Sequence, residues 1–257
     1  LHRHHAGRGN DYGMKEVFIP LNERIIFALD VDSRQNAEDL IARFSGQINF
    51  FKVGLQLFLA AGWPVVDSIV ARGCKVMLDL KLYDIPETVR LAVQQFADRG
   101  ITFATVHAVK PVMEAAVAAD AGVGILAVTV LTSSGTAREA GSALPVERVE
   151  DLVLARAKEA AQLGCAGAVC SAKETPLLKT ALGAQFQLVT PGIRPLGAAA
   201  HDQQRICTPK KAIANGADYL VIGRPIRDAA DPEIVIGTIQ EEIQSGLDEK
   251  KRMLTRH

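Results

Sequence analysis

Eight short apolar runs recur along the chain, each followed by a polar segment or one patterned as a helix. The runs are Ile25–Leu29, Asn49–Val53, Lys75–Leu80, Ile101–Val106, Gly124–Val130, Ala168–Cys170, Gln187–Thr190 and Tyr219–Ile222. Near-continuous apolar runs suit strands buried on both faces. Between them the pattern predicts helices. Ser33 is expected to cap a helix through Phe44. Leu55–Arg72 is amphipathic and stops at Gly73. Pro86–Arg99, Pro111–Ala121, Pro145–Leu163 and Pro209–Asn215 each open on proline and end before a glycine. Lys173–Leu182 and Asp231–Ser245 complete the set. Such alternation implies right-handed βαβ units and a parallel sheet. Eight units in ~240 residues match a closed single-domain (β/α)8 barrel; an open, doubly wound sheet is the second choice. No Pro/Ser-rich linker divides the chain, so residues 14–257 are expected to form one domain. Residues 1–13 lack an apolar core and read as a disordered or added extension, with Met14 as the natural start.

The third run carries the chemistry. In Val76-Met77-Leu78-Asp79-Leu80-Lys81, side chains alternate with period two. Val76, Leu78 and Leu80 fall on one face; Met77, Asp79 and Lys81 fall on the other. A carboxylate and an ammonium thus share a face at the end of a buried strand, with Asp84 just beyond and Pro86 opening a helix. Charges in such a place are costly unless paired, and function often keeps them there.

In a (β/α)8 barrel the chemistry gathers at the C-terminal ends of the strands. Reactive residues fall there in nearly every unit: Asp30, Lys52, Asp79 with Lys81, His107, Thr132 with Ser133, Ser171, Arg194, and Gly223 with Arg224. Units one to three supply alternating acids and lysines. Units seven and eight supply two arginines, whose forked guanidinium fits phosphate. The loops after the last two strands are the usual phosphate site of this architecture.

Composition narrows the classes of partner. Of 257 residues, 48% are hydrophobic and only 5% aromatic, an aliphatic core suited to helices on parallel strands. Lys plus Arg and Asp plus Glu each number 29, so no global field favours nucleic acid or an anionic membrane. No apolar run approaches the ~18 residues that span a bilayer. Cys74, Cys165, Cys170 and Cys207 form no C-x-x-C spacing, which points to reduced thiols and a cytoplasmic protein.

The chain closely resembles the orotidine 5'-monophosphate decarboxylase family of the bacterial type. The resemblance runs from Ile25 to about Ile236. It rests on Phe27-Ala28-Leu29-Asp30, Phe51-Lys52-Val53-Gly54, Asp79-Leu80-Lys81 with Asp84-Ile85-Pro86-Glu87-Thr88-Val89, and Val106-His107-Ala108. Leu131-Thr132-Ser133, Val169-Cys170-Ser171, Thr190-Pro191-Gly192-Ile193-Arg194-Pro195, Asp202-Gln203 with Arg205-Ile206, and Val221-Ile222-Gly223-Arg224-Pro225 continue it. Tyr83 stands where the family commonly has His, and Glu87 where relatives often carry a small polar residue; neither is a charged member of the catalytic set.

The resemblance implies an alternating tetrad of Lys52, Asp79, Lys81 and Asp84, the last given by the partner subunit of a homodimer with shared sites. Lys81 would protonate C6 of the pyrimidine, and Asp79 would face the substrate carboxylate. Lys52 would reach the ribose, Asp30 would bind a ribose hydroxyl, and Thr88 would support the ribose from the partner. Thr132 and Ser133 would meet the pyrimidine edge. Arg194, Gln203, Gly223 and Arg224 would hold the phosphate. The segment from Gly192 to Gln203 reads as a mobile lid. No metal and no cofactor is implied. Two other readings are a Mg²⁺-dependent sugar-phosphate enzyme on the same barrel and a silent nucleotide-binding barrel. Ile85-Pro86 and Lys52 argue against the first; intact Asp79, Lys81 and Asp84 argue against the second.

Overall fold

The computed structural model describes residues 17–130, 149–196 and 207–255. Residues 1–13 and Met14 lie outside these, as do Thr132, Ser133 and Gln203 and all of the expected lid beyond Leu196. After a short 3-10 turn (Leu21–Glu23), the chain alternates as its apolar runs predict. The order opens with β1 (Ile25–Ala28), α1 (Arg34–Phe44), β2 (Phe50–Gly54), α2 (Leu55–Ala61) and α3 (Trp63–Val70). It continues with β3 (Lys75–Leu82), α4 (Pro86–Gln94), β4 (Ile101–His107), α5 (Lys110–Ala118) and β5 (Gly124–Val128). Then come α6 (Val149–Gln162), β6 (Gly167–Val169), α7 (Thr175–Leu182) and β7 (Gln187–Thr190). The last elements are α8 (Pro209–Ala214), β8 (Tyr219–Ile222), α9 (Arg224–Arg227) and α10 (Pro232–Leu254).

The eight strands are parallel and close in sequence order, β8 pairing back on β1 with Ile25 opposite Leu220. The barrel is therefore closed, and the open doubly wound sheet is excluded. Period-two alternation sorts the strand residues into two cores. Ile26, Phe50, Met77, Phe103, Leu126 and Tyr219 point inward and fill the N-terminal half of the barrel. Phe50 stacks on Phe103 at 5.8 Å between ring centres, and Tyr219 meets both edge-on at 5.5 and 5.6 Å. Phe27, Phe51, Val76 and Leu78 point outward against helix faces such as Ala37, Ile41 and Phe44 of α1. Aromatic and aliphatic side chains fill the lower half, and a cavity opens near the C-terminal mouth.

Several boundaries differ from those the pattern predicts. Ser33 caps α1 as expected, its hydroxyl accepting from the Asn36 amide at 3.2 Å. The single helix expected over Leu55–Arg72 is two helices. Gly62 sits at φ +60°, a conformation that L side chains resist, and its amide closes α2 on the Phe58 carbonyl at 2.7 Å. Pro64 then starts α3. The helix expected over Pro86–Arg99 ends at Gln94 and finishes in turns. In contrast, α10 runs well past Ser245. Gly246 lies within it, where α8 packs closely: a β-carbon there would lie 2.5 Å from the Lys210 carbonyl oxygen. The four-residue α9 was not anticipated.

Candidate active site

The inward alternation that plugs the barrel floor also builds the site two and four residues later. Phe50 precedes Lys52, Met77 precedes Asp79, and Phe103 precedes Thr105 and His107. Lys52, the middle residue of β2, is 9% exposed. Its Nζ lies 3.1 Å from Asp30 Oδ1 and 3.5 Å from Asp79 Oδ2. Lys81 Nζ lies 2.8 Å from the same Asp79 oxygen. Four side chains thus form an alternating chain, Asp30–Lys52–Asp79–Lys81. Burial pushes the Asp79 carboxyl up, but the charges of Lys52 and Lys81 and the hydrogen bonds from Lys81 and Thr105 outweigh it. Asp79 is held below the usual carboxylate range.

The strand is not regular where this happens. Between Leu78, opposite Ala104, and Leu82, opposite Val106, β3 carries two more residues than β4. Lys81 turns through φ +47° in that bulge. The strict alternation predicted for Val76–Lys81 therefore holds through Asp79 and ends there. The ammonium still reaches the carboxylate, by a bulge instead of a pleat.

Asp84 and Thr88 are not part of this cluster within the chain. Both are exposed, and Asp84 Oδ1 accepts from the Ile85 amide at 2.6 Å at the start of α4. Tyr83 is 66% exposed, its ring 5.4 Å from that of His107 at the end of β4. Burial, with the charges of Lys81 and Arg156, holds the His107 imidazole below its ordinary value. Ser171 places its buried hydroxyl at the end of β6 without a hydrogen-bond partner among the described residues, while its amide donates to Glu174 Oε2 at 2.8 Å.

A cavity of about 260 Å³ extends from the Lys52–Asp79–Lys81 cluster, over an apolar floor that includes Met77, Val128 and Val221, to Arg194 and Arg224. Arg194 is anchored by its backbone amide, which donates to the Cys207 carbonyl at 3.0 Å. Burial and the neighbouring Arg224 charge both disfavour its charged form. Both guanidiniums line one cavity, and a forked guanidinium has the geometry to meet an oxyanion. Gly223 and Arg224 open α9, and Arg227 at its far end donates from Nη1 to the Asp30 carbonyl at 2.7 Å. This joins the β8 loop to the β1 loop. A second recess, lined in part by Gly54, Leu55 and His107, opens from the same charged cluster.

Two contributors went unseen in the sequence. Arg227 has no local signal. Thr105 does: it is a polar residue at an inward position of β4, two residues before His107. Among the described residues no group of three or more His, Cys, Asp or Glu side chains could hold a metal. No helix there is long and apolar enough to cross a membrane. All four cysteines are free thiols, with Cys74, Cys165 and Cys170 buried.

The fold and site define a (β/α)8-barrel protein with an alternating carboxylate–ammonium chain and an arginine pair at its C-terminal mouth. A family model described as orotidine 5'-phosphate decarboxylase / HUMPS family matches residues 23–239, and the chain belongs to that family. A protein of Rhodopseudomonas palustris named orotidine 5'-phosphate decarboxylase is 47% identical over 232 residues, spanning 90% of this chain and 98% of that one. One of the same name from Methylococcus capsulatus is 44% identical, spanning 88% and 94%. The crystal structure of orotidine 5'-phosphate decarboxylase from Lactobacillus acidophilus superposes with a TM-score of 0.74 at 35% identity, covering 86% of this chain and 99% of that one.

Proposed function

We propose that this chain decarboxylates orotidine 5'-monophosphate to UMP and CO2, the last step of de novo pyrimidine nucleotide synthesis. The observation that carries the reading is the pairing of Asp79 with both Lys52 and Lys81 at 3.5 and 2.8 Å, in one cavity with Arg194 and Arg224. The bond from C6 to the carboxylate breaks and its electron pair stays on C6. No attached cofactor delocalises that pair in this mechanism. The Lys81 ammonium, held in place before the reaction, stabilises the developing carbanion and then delivers its proton to C6. Asp79 faces the departing carboxylate and Lys52 fixes the chain from the ribose side. Asp30 binds a ribose hydroxyl, and Thr132 and Ser133 meet the pyrimidine edge. Arg194, Gln203, Gly223 and Arg224 take the phosphate, whose binding energy positions a reaction centre it does not touch.

The reading includes a homodimer, with the partner subunit's Asp84 and the partner subunit's Thr88 completing each site. Leu55, Leu59, Tyr83 and Ile85 are 56, 78, 66 and 69% exposed around the β2 and β3 ends, an apolar face suited to a second copy. It also takes residues 14–257 as a single domain of a cytoplasmic protein. The test is a spectrophotometric assay: orotidine absorbance should fall as UMP accumulates. A folded, dimeric protein that leaves orotidine 5'-monophosphate unchanged overturns the proposal.

A further inference from the structure

Thr105 is fully buried on β4, pointing into the barrel directly beneath the charged cluster. Its hydroxyl makes two hydrogen bonds, and their polarity is fixed by chemistry. The Lys81 amide can only donate, so at 2.9 Å it gives its proton to Thr105 Oγ1. The single hydroxyl proton is then free for Asp79 Oδ1, also at 2.9 Å, and an ionised carboxylate can only accept. The other Asp79 oxygen, Oδ2, is the one both lysines approach. Asp79 is therefore held at both ends, by Thr105 on one oxygen and by two ammoniums on the other.

The Lys81 bond is a substitute for a ladder bond. β3 and β4 lose register between Leu78 and Leu82, so the Lys81 amide meets a side chain where a regular strand would present a backbone carbonyl. Lys81 there adopts φ +47°, a conformation costly for a residue other than glycine. A strained residue persists only where its surroundings over-determine it. The Thr105 hydroxyl is the contact that ties this backbone to the carboxylate beside it.

We propose that Thr105 is a positioning residue: through one hydroxyl it couples the bulged backbone of Lys81 to the orientation of Asp79, setting the ammonium and carboxylate relative to each other. This rests on the roles proposed above for those two residues. Thr105 itself touches no substrate in this scheme, and the phosphate grip of Arg194 and Arg224 does not depend on it.

The test compares Thr105→Val, which keeps the branched shape and removes the hydroxyl, with Thr105→Ser, which keeps the hydroxyl. Losing hydrogen bonds to a charged group and a strained backbone should lower kcat for orotidine 5'-monophosphate by roughly 10- to 100-fold in Thr105→Val. KM should move less than about threefold, because phosphate binding is untouched. Thr105→Ser should recover most of kcat. A second readout is independent of turnover: the Lys81 amide should exchange with solvent faster in Thr105→Val than in wild type, at equal melting temperature. Wild-type kcat in folded Thr105→Val, or equal impairment of the Val and Ser variants, overturns the proposal. Should Thr105→Val not fold, Thr105→Ala replaces it with the same expectations, and failure of both to fold overturns it too. If wild type turns over no substrate, the decarboxylase reading falls. The positioning claim is then decided by the exchange of the Lys81 amide alone: faster exchange supports it, unchanged exchange overturns it.

Discussion

Replacing Asp79 by Asn removes the charge that both lysines share and keeps the volume of the side chain. The distances set the scale. At an effective dielectric constant of about 20, unit charges 2.8 and 3.5 Å apart attract by about 6 and about 5 kcal/mol. Most of this is offset by the cost of burying the carboxylate and by the repulsion between the two ammoniums. What is left when one partner of a buried pair is deleted is commonly 3–5 kcal/mol, and Lys81, 38% exposed at its side chain, is partly screened. A loss of about 3 kcal/mol is therefore expected for Asp79→Asn at pH 7. For a chain of this size that lowers Tm by about 6–12 °C. The pH dependence has a definite sign. Asp79 is held below its ordinary value of 3.8 in the folded state, so its contribution is fully present above that value. It is lost as pH falls through the lower, folded value. Urea unfolding of wild type and Asp79→Asn should thus show a gap in stability that is constant from neutral pH down to the ordinary carboxylate range and closes below it. Equal stability at pH 7, or a gap that widens in acid, would refute the picture of a carboxylate clamped by two ammoniums.

Lys81→Ala should abolish decarboxylation while UMP still binds and the circular dichroism spectrum is retained; near-normal turnover by the folded variant would sink the proton-donor role. Arg224→Ala should weaken UMP binding by about 1.5–3 kcal/mol, the range for a charge-assisted contact. The loss should be far smaller for uridine in the same titration, and equal losses would show that Arg224 does not hold the phosphate. Mixing Lys81→Ala with Asp84→Ala homodimers and letting subunits exchange should restore activity to about a quarter of wild type, because half of the dimers are mixed and each has one intact site of two. No recovery after verified exchange would mean that Asp84 serves its own subunit.

The barrel was legible because burial on both faces of parallel strands leaves an apolar signature that loops and helices do not share. Asp30, Lys52, Asp79, Lys81, Arg194 and Arg224 were legible for the same reason: each lies near or just past the end of such a run, and the runs end at one mouth. What the pattern could not show is register. The slip between β3 and β4 depends on how two strands meet, and the left-handed turn at Lys81 has no glycine to announce it. The break at Gly62 was hidden because the apolar spacing of Leu57, Val65, Val66 and Ile69 continues across it. Thr105 carries only a faint signal, one threonine in an apolar run, although its parity with Phe103 and His107 turns it inward. The placement of Asp84 and Thr88 in a neighbouring site is implied by the resemblance alone; within the chain both are exposed and stand apart from the cluster.

The charge arithmetic of the site gives the proposed chemistry a direction. Asp30, Lys52, Asp79 and Lys81 sum to zero, so the cluster is neutral within one chain and its ammoniums are held by its own carboxylates. In the dimeric reading, the partner subunit's Asp84 makes the sum −1, and the substrate carboxylate takes it to −2 in a partly desolvated cavity. In that reading the surplus falls on the side of Asp79, the group proposed to face the carboxylate. Loss of CO2 moves one negative charge from the carboxylate to C6, toward Lys81 and away from Asp79. The same fixed charges that are poorly matched to the bound substrate are then better matched to the carbanion, and only such a difference between the two states accelerates the step. In the same reading, Arg194 and Arg224 act on the other end of the nucleotide. Phosphate binding there can hold the carboxylate against Asp79, a position it would not choose alone. The proposed tasks would then be kept apart, the first at β2 and β3 and the second after β7 and β8, while Arg227 on α9 ties the β8 loop to the backbone of Asp30.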